Sequence, residues 1–129
     1  MAKTFRQMVS EARETVGVIS PQDAQQQIAA NSGTVVVDVR QPDDIASTGK
    51  IPGAINVPLG LLAIRADQEL PEHYREALLQ DRNTPVITTC GPGGQGALGA
   101  KVLHDMGFTN VKILDGGTVG WKNAGLPTE

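Results

Sequence analysis

One cysteine, two histidines, two phenylalanines, one tyrosine and one tryptophan are all that 129 residues offer of these types, and each shortage closes off a class of protein. A single cysteine makes no internal disulfide and no cysteine-rich zinc site. His73 and His104 are far apart and have no metal-ligand spacing, so neither a metal nor a cofactor is expected. With aromatics at 3%, the core has to be built from Val, Ile, Leu and Ala, which suits a parallel sheet covered by helices. No apolar run is long enough to span a bilayer, and no apolar leader follows Met1-Ala2-Lys3-Thr4-Phe5-Arg6. The expected location is therefore the reducing cytoplasm, where a thiol stays available for chemistry. Strong charge is missing too. A formal net charge of −3 gives no reason to expect nucleic acid or a membrane as partner.

What is present is organised around Pro85 to His104. Val86-Ile87-Thr88-Thr89 is apolar and β-branched and reads as a short buried strand. Leu98, Val102 and Met106, with Leu103 beside them, recur at helical spacing and read as a core-facing stripe. Between strand and helix sits Cys90, followed by Gly91-Pro92-Gly93-Gly94-Gln95-Gly96. A strand that ends in a nucleophile, then a turn, then a helix puts that nucleophile where open α/β sheets place their sites. Backbone N–H groups of Gly91, Gly93, Gly94, Gln95 and Gly96 can face whatever the sulfur carries, whereas Pro92 withdraws one donor. A lone cysteine after a strand is otherwise only a small hydrophobe.

Along the chain, Thr4 can cap a first helix with Phe5, Met8, Val9 and Ala12 on one face. Ser20-Pro21-Gln22-Asp23 is a second helix start, and Asn31-Ser32-Gly33 a stop. Thr34 to Val39 is a strand that ends in Asp38-Val39-Arg40, two charges that need partners and are expected to pair or cap beside the cysteine loop. Ile55 to Val57 is a third short strand, Leu59 to Leu70 an irregular or helical excursion, and Pro71 to Gln80 a helix with Tyr74, Ala77 and Leu78 inward. Val111 to Leu114 is the last strand, and Trp121 a core residue of a short final helix. Lys50, His73 and His104 read as surface residues. Strands alternating with helices imply an α/β fold: one mostly parallel sheet with helices on both faces, in one domain over 1–129.

Three stretches resemble the rhodanese-like sulfurtransferases. Asp38-Val39-Arg40-Gln41-Pro42-Asp43-Asp44 with Gly49 to Pro58 is similar to their first signature, and Cys90 with its six-residue loop occupies the place of their active cysteine. Met106-Gly107-Phe108-Thr109-Asn110-Val111 with Leu114-Asp115-Gly116-Gly117 and Trp121 to Pro127 is similar to their C-terminal signature. The resemblance implies a five-stranded sheet, Cys90 as persulfide carrier, a core domain over 17–129 and an added N-terminal helix over 1–16. It implies a small sulfur donor such as thiosulfate, a thiol or cyanide acceptor, and a protein persulfide as a further class of partner. The chain departs from the family where Arg or Lys usually stands in the loop: those positions are Gly91 and Gln95. Lys50 replaces the usual His before Ile51-Pro52-Gly53, and Gln41 the usual acid. A non-catalytic binding module and a persulfide or redox sensor remain open beside the sulfurtransferase. A phosphatase would need a longer loop with an Arg to clamp phosphate.

Overall fold

The computed structural model describes residues 2–129. Five parallel strands make one sheet in the order β1-β5-β4-β2-β3: β1 Val18–Ile19, β2 Val35–Asp38, β3 Ile55–Asn56, β4 Val86–Thr89 and β5 Val111–Leu114. β4 is central, with Val35 to Asp38 of β2 in register with Val86 to Thr89. Because side chains alternate along a strand, Val37, Val86 and Ile113 face one way and Val36, Ile87 and Leu114 the other. The first face is covered by α1 (Phe5–Val16), α4 (Leu62–Ala66) and α5 (Gly94–Asp105), the second by α2 (Pro21–Ala30) and α6 (Gly117–Asn123). Between β2 and β3 lies α3 (Pro42–Thr48).

The helix starts follow local chemistry. Thr4 Oγ1 accepts the Gln7 N–H at 3.1 Å while Gln7 Oε1 accepts the Thr4 N–H at 2.8 Å, a reciprocal cap that fixes the start of α1. Ser20 Oγ accepts from the Asp23 N–H, with Pro21 at the first helical position of α2.

Two expectations fail for physical reasons. α5 buries its small side, Gly96, Ala97, Gly99, Ala100 and Leu103, while Leu98, Val102 and Met106 are only partly buried. A Cβ on Gly96 would lie 3.2 Å from the Thr89 backbone, and one on Gly99 3.0 Å from Val39, so the helix sits too close to the strands for large residues there. Residues 71–80 do not form a helix. Two 3₁₀ turns, Glu72–Tyr74 and Ala77–Leu79, are separated by extended backbone at Arg75 and Glu76, and the Glu76 N–H and the Gln80 side chain both donate to the Arg65 carbonyl. Only Leu79 is buried; Tyr74, Ala77 and Leu78 are exposed.

Candidate active site

Cys90 directly follows β4 at the carboxyl edge of the sheet, and the bends at 91–93 lead into α5. Its side chain is 1% exposed. Sγ accepts the Gly93 N–H at 3.0 Å. Gly93 has φ +115°, a left-handed conformation that a residue with a Cβ adopts only under strain, and it caps α5. The sulfur thus sits at the helix N-terminus, where first-turn N–H groups lack intrahelical acceptors and the helix dipole favours negative charge.

The loop is held from behind by α6. The Thr118 N–H donates to the Cys90 carbonyl at 2.8 Å, and the Val119 N–H to the Gly91 carbonyl at 3.0 Å. Thr89 and Thr118 hydroxyls are hydrogen-bonded at 3.0 Å, and the Thr88 hydroxyl donates to the Gly96 carbonyl at 2.7 Å. Gly117, at φ +61°, lies so close that a Cβ would come within 2.5 Å of the Gly91 oxygen.

On the neighbouring strand, Asp38 ends β2, and Arg40, two residues beyond it, turns its side chain back onto the Asp38 carboxylate. Asp38 is fully buried, and its carboxylate accepts Arg40 Nε at 3.0 Å and Nη2 at 2.7 Å. Nη2 also donates to the Gly49 carbonyl at 2.9 Å and Nη1 to Thr48 Oγ1 at 2.7 Å. Asn56 Nδ2 ties the Asp38 and Arg40 carbonyls together. The hydrogen bond to Asp38 raises the Arg40 pKa, and the charges of Asp38, Asp44 and Cys90 act the same way against burial. Five donors less four bonds leave Nη1 one N–H without an acceptor among the described residues.

A pocket of about 540 Å³ opens over the cysteine. Of the residues singled out from sequence, Cys90, Gly91, Gly94, Gln95 and Arg40 line it, Gly93 touches the sulfur from the loop, and Asp38 lies beneath Arg40. Gly96 is a buried packing position against β4. Sequence reading missed four lining residues: Phe5 of α1 and Asp44, Ser47 and Thr48 of α3. Phe5 and Met8 are exposed, and α1 buries Ala12 and Val16 instead. The Asp44 and Thr48 signal was their place on a short helix opening two residues after Arg40; Phe5 carried none. Lys50 is directed elsewhere, its Nζ donating to the Ala54 carbonyl at 2.9 Å. Lys122 of α6 was also missed. Its ammonium donates to the Thr48 carbonyl in a smaller cavity of about 130 Å³ that shares Arg40, Thr48 and Gly91 with the pocket. Among the described residues no group of three or more acidic, histidine or cysteine side chains is placed to hold a metal ion, and no helix is long and apolar enough to cross a membrane.

A parallel sheet with a cysteine loop between its central strand and the following helix, beside a buried Asp–Arg pair, defines a class, and residues 20–124 match the Rhodanese-like domain. The chain belongs to the rhodanese-like domain family. It is 31% identical over 112 residues to a Sulfurtransferase of Allochromatium vinosum, covering 87% of this chain and 94% of that one. It is 33% identical over 111 residues to Thiosulfate sulfurtransferase GlpE of Ectopseudomonas mendocina, covering 86% and 88%. Among solved structures, it is similar to a Rhodopseudomonas palustris protein of unknown function described as a "Possible Tyrosine Phosphatase", with TM-score 0.91 and 30% identity over 100% of this chain and 96% of that one.

Proposed function

We propose that the protein is a rhodanese-type sulfurtransferase that carries sulfur as a persulfide on Cys90. The observation that carries the reading is Cys90 Sγ at the start of α5, bonded to the Gly93 N–H at 3.0 Å at the base of an open pocket. The relatives named sulfurtransferases support it. In the first half-reaction the thiolate attacks the outer sulfur of a donor. A Cys90 S–S bond forms, the donor's S–S bond breaks, and its electron pair leaves on the residual anion. The loop N–H groups and the dipole of α5 stabilise the persulfide anion. In the second half-reaction cyanide or a thiolate, small or on a protein, takes the outer sulfur and the pair returns to Cys90. Gly91, Gly94 and Gln95 bind through backbone donors, Asp38 orients Arg40, and the free Arg40 N–H faces substrate.

The chemistry suggested for the Rhodopseudomonas relative does not suit this pocket. Residues 91–96 contain no arginine, Arg40 spends all but one of its N–H donors within the protein, and Asp44 lines the same pocket with an acidic side chain. Incubation with a sulfane-sulfur donor and cyanide tests the proposal: thiocyanate forms with the wild type and falls to background in Cys90→Ser, while a simple aryl phosphate is not turned over. Thiocyanate formation that survives in Cys90→Ser, or is absent with every donor, removes the enzyme reading and leaves a binding module or sensor.

A further inference from the structure

The pocket has an apolar wall that the Cys90 chemistry does not explain. Phe5 opens α1, fifteen residues ahead of the matched segment 20–124, and the reciprocal cap between Thr4 and Gln7 fixes its backbone. The ring is 55% exposed, so its placement contributes little to the core. It nevertheless reaches the cysteine loop: a Cβ on Gly94 would meet Phe5 Cζ at 2.7 Å and Cε2 at 3.2 Å. Glycine at 94 leaves the room that the ring edge fills, and ring and Pro92 face the same opening as Cys90. The charges point the same way. The guanidinium in the pocket is paired with a buried carboxylate, Lys122 turns its ammonium to the Thr48 carbonyl, and Asp44 adds a negative charge at the wall. A dianion loses hydration on entering and finds, among the described residues lining the pocket, only one spare N–H of the already paired Arg40, whereas an apolar group finds an aromatic ring.

We propose that Phe5 and Pro92 form a subsite for the organic substituent R of a singly charged sulfane-sulfur donor, R–SO₂–S⁻ or R–S–S⁻, and set the preference for such donors over thiosulfate. This rests on the reading of Cys90 as the sulfur carrier. With a thiosulfonate the balance is Cys90–S⁻ plus R–SO₂–S⁻ giving Cys90–S–S⁻ plus R–SO₂⁻. One S–S bond forms and one breaks, the pair leaves on the sulfinate, and no outside oxidant or reductant takes part. Phe5 acts by position, holding R while the outer sulfur faces Sγ.

Benzenethiosulfonate and methanethiosulfonate carry the same charge and differ in R, so the change in their kcat/KM ratio between wild type and Phe5→Ala, with cyanide as acceptor, isolates the apolar subsite from the reactivity of the two leaving sulfinates. In a ping-pong scheme that parameter reports the donor half-reaction alone, and a ratio taken on one preparation cancels any difference in folded fraction. The wild type is expected to favour the benzene donor about tenfold, and Phe5→Ala to reduce that preference to about twofold or less, with Phe5→Tyr restoring it. Thiosulfate is expected to be the poorest of the three donors in the wild type. An unchanged benzene-to-methane ratio in Phe5→Ala, with thiocyanate still formed through Cys90, overturns the subsite and spares the carrier. Absence of thiocyanate and of any sulfur adduct with all three donors overturns the carrier and the subsite with it.

Discussion

The two walls of the cysteine pocket are built on opposite principles. The β4–α5 loop presents glycine backbone, one proline and the neutral Gln95, and works through partial charges on N–H groups. The β2–α3 wall carries full charges, but its cation is consumed internally: Asp38 and Arg40 satisfy each other, with Thr48 and Gly49 taking up further guanidinium donors. The contrast teaches that charge near a site and charge available to a ligand are different quantities. A pocket can contain a guanidinium and still offer a dianion little.

Breaking the charged wall should have the largest effect. Asp38→Ala leaves the Arg40 guanidinium buried without its partner, and a loss of about 3–5 kcal/mol in denaturant unfolding is expected. Gln95→Ala on the exposed loop wall should stay within about 0.5 kcal/mol. Comparable losses in the two variants would erase the distinction between the walls.

Adding a free charge to the neutral wall sharpens the contrast. Gln95→Arg should supply a charge-assisted contact of about 1.5–3 kcal/mol, roughly ten- to a hundredfold in thiosulfate affinity. Steady-state thiosulfate dependence in wild type, Gln95→Arg and Gln95→Ala at one ionic strength checks this; an unchanged donor dependence in the arginine variant would show that loop charge does not govern donor choice.

The loop's own geometry is tested by Gly117→Ala. A Cβ there meets the Gly91 oxygen at 2.5 Å and the residue must keep φ +61°. A cost of about 1–3 kcal/mol is expected, together with slower sulfur loading as Gly91 and Gly93 shift. Wild-type stability and loading would show that α6 does not brace the loop.

The smallest effect lies away from both walls. Asp67 accepts the N–H groups of Leu70 and Glu69, which hold its pKa below the ordinary carboxylate range. Its folded pKa lies below its unfolded one. The stability it contributes is therefore present above the unfolded pKa and is lost as pH falls through the folded one. Asp67→Asn should flatten that part of the acid limb while leaving sulfur transfer unaltered, and NMR titration of the carboxyl should follow the same direction.

Much of this was legible in the chain. β-branched runs marked β2, β4 and β5, Ser20-Pro21 and Thr4 marked helix starts, and two charges at the end of a buried run marked Asp38 and Arg40 as an ion pair. Local pattern misled elsewhere. Leu98, Val102 and Met106 are larger than Ala97 and Ala100, yet close helix–sheet approach at Gly96 and Gly99 selects the small side. Residues 71–80 have the composition of a helix, but hydrogen bonds to Arg65, distant in sequence, claim the backbone that a helix would use. Phe5 fits a buried helical face as well as a pocket wall. Only the tertiary placement of α1 against α5 separates the two.

The central claim is that Cys90 carries sulfur, and intact mass addresses it without dependence on any acceptor. After exposure to thiosulfate and to benzenethiosulfonate, the wild type should gain one sulfur atom that a reductant removes, more completely with benzenethiosulfonate, and Cys90→Ser should gain none. An unmodified wild type with both donors, or an equal gain in Cys90→Ser, would contradict the account.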